Sequence, residues 1–191
     1  MALTEVQWHK VKEAALTLRE GGVIICPTEG VYGISARVSN IKGIERIISI
    51  KHRAFNKGLI IVSSSVAQLE SVVNFGALSA DSMRLIHNKW PGHNTFIVPA
   101  KSGVSPVLTG GRTTMAARVT DFELLSALCD EVGEPIVSTS ANISGSEPLT
   151  TLPELQATFA ASVDYILDEP CMGRNKPSTI YDALTGAVLR A

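Results

Sequence analysis

Apolar and polar positions follow two different spacings along this chain, and each spacing predicts a different kind of element. Helical spacing begins after Thr4 and Gln7, which form a capping-box pattern, and continues to about Glu20. Uninterrupted apolar runs occur instead at residues 23–26 and 59–62, and such short runs are typical of strands buried on both faces. The chain is therefore expected to combine helices with short buried strands.

The same patterns recur along the rest of the chain. Helices are predicted at residues 41–50, 81–89 and 122–131. Three pairs have the spacing of helix caps: Ser65 with Gln68, Thr120 with Glu123, and Thr151 with Glu154. Strands are predicted at residues 95–98, 115–119, 135–137, 165–167, 179–181 and 188–189. This mixture predicts an α/β fold in which helices flank a mixed sheet, as one domain over residues 1–191.

Composition narrows the class of protein. The 191 residues are 45% hydrophobic with a mean hydropathy of +0.20, which suits one sizeable core. The formal net charge of −1 argues against a polybasic nucleic-acid binder. Three widely spaced cysteines without a CxxC pattern fit a reducing compartment, and neither a signal peptide nor a membrane span is predicted. We therefore expect a cytoplasmic protein that does not use a membrane as a partner.

Charge and hydroxyl groups are nevertheless concentrated locally. Between Arg37 and Lys57 there are six basic residues and one acidic residue, Glu45. Ser138, Ser140 and Asn142 occupy alternate positions, so an extended chain would present all three on one face. The basic run is either a solvated helix face or an anion-binding surface, and the polar row either satisfies neighbouring turns or binds a ligand. Together the two clusters favour a nucleotide.

Several familiar chemistries lack their motifs. The chain has no GxxxxGK[ST], GxGxxG, HExxH or GxSxG segment. Its four histidines lack ligand spacing, so no metal site formed by the protein is predicted. The serines near position 140 have no evident base beside them, and we interpret them as binding groups.

Two single positions carry more information. Thr28 follows a predicted buried strand, at the place where α/β proteins commonly bind ligands. Arg118 lies within an apolar strand, and a buried arginine needs a partner. That partner is either an internal carboxylate, such as Asp121 or Glu123, or the carboxylate of a ligand.

Taken in order, these segments resemble the threonylcarbamoyl-AMP synthase family, the TsaC/YrdC-like proteins. The matching segments are Pro27-Thr28-Glu29 with Tyr32-Gly33, Lys51-x-Arg53, Trp90-Pro91-Gly92 with Thr95, Ala117-Arg118-Val119, Ser138-Thr139-Ser140-Ala141-Asn142 with Ser144-Gly145, and Pro177-Ser178-Thr179-Ile180. The resemblance covers almost the whole chain and implies the short, single-domain YrdC-like form. That form is a twisted mixed sheet with flanking helices around a basic concave cavity.

The resemblance also implies a reaction. L-Threonine, bicarbonate and ATP would give threonylcarbamoyl-AMP and pyrophosphate, as catalysed by a nucleotidyltransferase. The product would serve the threonylcarbamoylation of adenosine 37 (t6A) in tRNAs that read ANN codons, through a separate transferase complex. Mg²⁺ is expected to accompany ATP rather than to be held by the protein. The alternative is a non-catalytic protein that binds tRNA or double-stranded RNA in the basic cavity.

Roles for individual residues follow from the resemblance alone. It implies that threonine is bound by Thr28, Arg118, Ser138 and Ser178. It implies that the nucleotide is bound by Lys51, Arg53, Lys57, Thr114, Ser140, Asn142 and Arg190, with Lys51 and Arg53 as the catalytic cations.

The chain departs from the usual pattern of the family in several loops. Gly30 stands where Thr, Ala or Ser is usual after Pro-Thr-Glu, and His93 occupies a common proline position after Trp-Pro-Gly. Other common proline positions are taken by Ala54 and Gly58, around Lys-x-Arg, and by Thr120, two residues after Arg118. None of these removes a charged ligand group, so we expect them to affect the rigidity of the loops rather than the chemistry.

Overall fold

One nine-stranded sheet runs through the computed structural model, which describes residues 2–174 and 176–191. The strands are β1 (Ile24–Cys26), β2 (Gly33–Arg37), β3 (Ile60–Ser63), β4 (Asn94–Pro99), β5 (Thr114–Val119), β6 (Ile136–Ser140), β7 (Tyr165–Ile166), β8 (Thr179–Asp182) and β9 (Val188–Arg190). They are arranged in the order β7-β1-β2-β6-β3-β5-β4-β8-β9. The β1–β7, β3–β5 and β4–β8 pairs are parallel and the others antiparallel, which confirms the predicted mixed sheet.

The helices connect these strands. They are α1 (Glu5–Arg19), α2 (Ile41–Ile50), α3 (Val66–Leu69), α4 (Ala80–His87), α5 (Pro106–Thr109), α6 (Glu123–Val132) and α7 (Leu152–Phe159). The capping boxes predicted at Thr4 and Thr151 are both present, and Ser65 caps α3 as predicted. In the described part of the chain, no helix combines the length and apolar character that crossing a membrane requires.

Two hydrophobic cores lie on opposite faces of the sheet. Helices α1 and α6 cover one face, where Val11 and Leu128 are fully buried, and Ile24 of β1 belongs to that core. Ile25, the next residue along β1, belongs to the other core together with Ile44 of α2. Successive strand residues point to opposite faces, so a strand between two cores must be apolar throughout. This explains the uninterrupted apolar runs in the sequence.

Among the strands and α-helices, two elements differ from the sequence predictions, and so does one cap. Strand β2 (Gly33–Arg37) and the short helix α5 (Pro106–Thr109) were not predicted. The capping box predicted at Thr120 and Glu123 is wrong, because Phe122 occupies the N-cap position of α6 without a side-chain cap. The hydroxyl of Thr120 instead donates a hydrogen bond to Glu29 Oε1 at 2.7 Å. The Thr120 hydroxyl, which the local pattern assigned to the cap of α6, therefore bonds to the buried carboxylate of Glu29.

Candidate active site

A cavity of about 450 Å³ opens where several strands end and their loops meet. Its lining includes most of the polar residues picked out from the sequence: Thr28, Arg53, Arg118, Ser138, Ser140, Ser178 and Arg190. Residues from β2 and β9, at distant positions in the sheet, line the same cavity, so the sheet must curl around it. Four lining residues are cationic, namely Arg53, Arg118, Lys176 and Arg190, and Glu147 is the acidic one in the set. The cavity is therefore suited to an anionic ligand.

Thr28 and Ser138 both border Gly33, which leaves room for them because it has no side chain. A Cβ atom at Gly33 would lie 2.4 Å from Ser138 Oγ and 3.3 Å from Thr28 Cγ2. Strand β2 pairs with β6 so that Gly33 faces Ser140 and Ser35 faces Ser138. The hydroxyl of Thr28 donates to the Val31 carbonyl at 2.6 Å and can still accept a hydrogen bond. The two hydroxyls thus form one polar wall of the cavity.

Arg118 is held by a buried carboxylate. Its Nη2 atom lies 3.0 Å from Glu29 Oε2, and the other oxygen of Glu29 accepts from the Thr120 hydroxyl. Burial lowers the pKa of Arg118, and the negative charge of Glu29 acts in the opposite direction. The guanidinium nonetheless stays protonated, since arginine does not lose its proton in proteins. The result is a fixed cation on the cavity wall.

An internal carboxylate does pair with Arg118, but it is neither of the two examples taken from the sequence. Asp121 was one candidate, but its carboxylate forms an ion pair with Arg174 at 2.6 Å, and Glu29 rather than Glu123 forms the ion pair with Arg118. Sequence reasoning missed Glu29 as a functional residue. The signal was present, because an acid directly after a buried strand and Pro27-Thr28 must find a cationic or hydroxyl partner once it is buried.

Ser178 and Arg190 come together at the far edge of the sheet. Arg190 donates to the Ser178 carbonyl from Nη2 at 2.8 Å and from Nε at 3.3 Å. The Ser178 hydroxyl lies 2.7 Å from that of Thr95, which begins the buried part of β4. Strand pairing of β8 with both β4 and β9 produces this arrangement.

Lys51 occupies a different kind of position from the other cations. It is 1% exposed and caps the C-terminus of α2. Its ammonium donates to the carbonyls of Ser140 and Asn142 and to Asn142 Oδ1. Burial, together with the positive charge of Arg53, lowers the pKa of Lys51 to about 8. Lys51 therefore fixes the chain that leaves β6.

The polar row after β6 divides into two roles. Ser138 and Ser140 line the cavity. Asn142 instead holds its own loop, since its Oδ1 accepts from Ser140 Oγ at 2.6 Å and its Nδ2 donates to the carbonyls of Ile143 and Ser146. The interpretation that the row satisfies its own turn therefore applies to Asn142, and ligand binding by Ser138 and Ser140 stays a prediction.

Four residues with predicted nucleotide roles do not line the cavity as it stands: Lys51, Lys57, Thr114 and Asn142. Lys57 ends an exposed 3-10 helix, and Thr114 begins β5, where it pairs with Pro99. Arg53 does line the cavity, and its Nη2 donates to the Gly58 carbonyl at 2.9 Å. The nucleotide roles of all these residues stay predictions.

Among the described residues, no group of three or more His, Cys, Asp or Glu side chains is placed to hold a metal ion. The cationic lining of the cavity is likewise unsuited to binding a bare cation.

Comparison with known proteins identifies relatives of this chain. Residues 16–191 match the Sua5_yciO_yrdC family model, described as "Telomere recombination". A protein of Idiomarina loihiensis named threonylcarbamoyl-AMP synthase is 40% identical over 178 residues, which cover 93% of this chain and 96% of the relative. This chain belongs to the Sua5/YciO/YrdC family. Another family member of the same name, from Pseudoalteromonas translucida, is 39% identical over 93% of this chain and 95% of its own length.

The family relationship extends to solved structures. The crystal structure of P. abyssi Sua5 complexed with L-threonine matches with a TM-score of 0.83 and 32% sequence identity. The match covers 92% of this chain and 51% of Sua5, so this family member spans about half the length of that protein.

Proposed function

We propose that this chain is a threonylcarbamoyl-AMP synthase, which converts L-threonine, bicarbonate and ATP into threonylcarbamoyl-AMP and pyrophosphate. One observation carries the proposal: an arginine fixed by a buried carboxylate shares a cavity with several hydroxyl groups, those of Thr28, Ser138 and Ser178 among them, and with two further arginines. An amino acid needs a receptor for its carboxylate, and a triphosphate needs several cations. This cavity offers both, and the names of the relatives agree with that use.

Arg118 is the proposed receptor for the threonine carboxylate. Its Nη1 contacts His93 and its Nη2 contacts Glu29, and each of these nitrogens carries a second N–H group. A planar guanidinium can use such donors to bind a carboxylate with two parallel hydrogen bonds. Thr28, Ser138 and Ser178 would complete the amino-acid site. The L-threonine bound to P. abyssi Sua5 supports an amino-acid ligand in this fold.

Arg53 and Arg190 are the proposed contacts for the phosphates of ATP. Both line the cavity, and each uses part of its guanidinium on a backbone carbonyl, which fixes its position. Lys51 supports the same region from behind by holding the chain after Ser140. We further propose that Mg²⁺ enters with the triphosphate, and that Lys57, Thr114 and Asn142 contact the nucleotide once it is bound.

The chemistry requires the meeting of two anions. The amine of threonine adds to bicarbonate and gives a carbamate, with loss of water. A carbamate oxygen then bonds to the α-phosphorus of ATP, and the bond from that phosphorus to the bridging oxygen of pyrophosphate breaks. Fixed cations would neutralise the charge that builds up on phosphorus, and binding both reactants in one cavity lowers the entropic cost of their encounter. No protein base is needed in this scheme.

The test is pyrophosphate release by the purified protein with ATP and bicarbonate, with and without L-threonine, and with L-serine as the control amino acid. The proposal predicts threonine-dependent release and a threonylcarbamoyl-adenylate detected by mass spectrometry. If a folded protein released no pyrophosphate under any of these conditions, the proposal would be wrong. Salt-sensitive binding of tRNA or double-stranded RNA would then identify the cavity as an RNA site.

The fate of the product is a further part of the proposal. We propose that threonylcarbamoyl-AMP passes to a separate transferase complex, which modifies adenosine 37 of tRNA. Adding that complex and an unmodified ANN-reading tRNA to the reaction should give t6A, which nucleoside analysis would detect. The reaction without this chain is the control.

A further inference from the structure

His93 contacts two separate parts of the cavity wall. Its Nδ1 atom lies 3.3 Å from Arg118 Nη1, and its Nε2 atom lies 2.9 Å from the carbonyl oxygen of Lys176. An arginine can only donate, so Nδ1 must be the acceptor and the proton of the neutral ring must be on Nε2. That proton is then donated to the Lys176 carbonyl. Both ring nitrogens thus have a partner that matches a single tautomer.

The backbone that carries His93 is fastened on both sides of it. The amide of Gly92 donates to the Val119 carbonyl at 2.9 Å, directly beside Arg118. On the other side, Trp90 Nε1 donates to the Asn94 carbonyl at 2.7 Å. The ring is therefore held at a defined place relative to β5, and it does not depend on a free loop for its position.

Gly30 allows the Lys176 carbonyl to come this close. A Cβ atom at position 30 would lie 2.4 Å from the Lys176 oxygen, a contact that real Cβ atoms essentially never make. The atom in the way belongs to the backbone, so no side-chain rotation would relieve it. Nearby, Met172 and Arg174 donate their amides to the carbonyls of Thr28 and Glu29, at 3.1 and 2.9 Å. These contacts hold residues 172–174 against the Thr28–Gly30 turn.

We infer that His93 is a positioning residue for the amino-acid end of the cavity. It connects the proposed carboxylate receptor, Arg118, to the wall formed by Lys176, Pro177 and Ser178, and it thereby fixes the separation between them. This inference rests on the proposed function, because the proposed function assigns an amino-acid ligand to the site. His93 acts on the affinity for threonine and leaves the affinity for ATP unchanged.

The first variants change His93 itself. His93→Ala removes both contacts, and the KM for L-threonine should rise at least tenfold while the KM for ATP and kcat at saturating threonine change by less than about threefold. His93→Gln should restore most of the affinity, because an amide offers one acceptor and one donor. His87→Ala is the matched control, since His87 is exposed on α4. Thermal unfolding of each variant reports separately on the fold.

A second variant tests the Lys176 carbonyl, which is the other partner of His93. Gly30→Ala displaces the Lys176 carbonyl, so it should also raise the KM for L-threonine. Because both changes break the same hydrogen bond, the double variant should be no worse than the more damaging single variant. If the increases in the KM for L-threonine of the two single variants multiplied in the double variant, the inference would be overturned. An unchanged KM for L-threonine in His93→Ala would also overturn it.

The two proposals fail in different ways. If wild-type protein shows no threonine-dependent pyrophosphate release, the proposed function is wrong. If wild type is active but His93→Ala raises both KM values equally, or lowers Tm without rescue by His93→Gln, only the positioning role is wrong. Calorimetric titration of L-threonine without ATP provides a readout that does not depend on turnover, and it should show the same tenfold loss for His93→Ala.

Discussion

Arg118 Nη2 lies 3.0 Å from Glu29 Oε2, and the two side chains are only 6% and 0% exposed. Two charges removed from water in this way are stable only as a pair, because either one alone would keep the full cost of its desolvation. The pair joins the turn after β1 to the middle of the sheet at β5. It therefore has a structural role as well as a proposed role in binding.

Removal of Glu29 should be costly for stability. Glu29→Ala leaves the Arg118 charge buried without its carboxylate, and we expect it to lower the free energy of unfolding by about 3–5 kcal/mol. Urea unfolding measures this loss. Arg174→Ala is the control, because it breaks an ion pair whose side chains are 40% and 29% exposed, and it should cost less than about 1 kcal/mol. Equal losses in the two variants would show that burial of the pair has no special effect.

Arg118→Lys should separate the charge from the shape of the receptor. Lysine keeps a positive charge near Glu29 but loses the planar fork, so the KM for L-threonine should rise at least tenfold, or about 1.4 kcal/mol. The KM for ATP should hardly change. Arg37→Lys is the matched control, since Arg37 pairs with Glu134 at 3.1 Å and does not line the cavity. Normal threonine kinetics in Arg118→Lys would rule out a bidentate carboxylate contact.

Gly33→Ala should block the amino-acid site from within. The new methyl group would lie 2.4 Å from Ser138 Oγ, so that hydroxyl must turn away from its place beside Thr28. We expect a KM for L-threonine raised at least tenfold, with a fold that remains intact. Steady-state kinetics at saturating ATP measure this. Gly76→Ala, where the nearest atom to the new Cβ lies at 3.5 Å, should behave as wild type.

Removing the obstructed hydroxyl provides a check on that explanation. The double variant Gly33→Ala/Ser138→Ala no longer contains the clash, so its KM should be close to that of Ser138→Ala alone. A KM far above that value would place the damage in the backbone of β2 instead.

The lowered pKa of Lys51 predicts that the stability of the protein depends on pH. Its pKa in the folded protein is lowered to about 8, below its ordinary value of 10.5. Between these values the folded protein has released a proton that the unfolded chain still binds, so stability from this group rises as pH increases from about 8 to 10.5. Below pH 8 the lysine is charged in both the folded and the unfolded chain, and its contribution to the free energy of unfolding is constant and unfavourable.

Comparison with Lys51→Met isolates that contribution from other groups. The difference in unfolding free energy, wild type minus Lys51→Met, should grow between pH 8 and pH 10 by at most about 1.4 kcal/mol per unit. Urea unfolding at pH 7, 8, 9 and 10 measures it. A difference that stays flat or shrinks over this range would contradict a lowered pKa. Lys12→Met is the control, because Lys12 is exposed on α1.

Most helices and strands followed from the apolar pattern because the sheet lies between two cores. Residues such as Ile24 and Ile25 face opposite cores, so their strand is apolar at every position and easy to recognise. Strand β2 was not predicted because two of its positions carry no apolar side chain. Gly33 leaves room for Ser138 at the cavity wall, and Ser35 contacts Cys26. Where a strand contributes to the site, its pattern is weakened.

The contacts within the site were harder to predict than its members. Arg118 was recognised as needing a partner, but Glu29 lies between β1 and β2, far from β5 along the chain, and only the folded sheet brings the two side chains together. Gly30 and His93 were recognised as unusual positions in separate loops. Their common contact, the Lys176 carbonyl, belongs to a third segment that neither local pattern can specify.

The strand order also determines when the cavity can form during folding. Strands β2 and β6 are neighbours in the sheet but distant in the chain, and the same is true of β4 and β8. Pairings of high contact order form slowly, because the entropy of loop closure is lost before the contacts are gained. A cavity that needs both Thr28 and Arg190 is complete only after these pairings. After dilution from denaturant, helical circular dichroism should therefore return before threonine binding, and catalytic competence should mark the final step of folding.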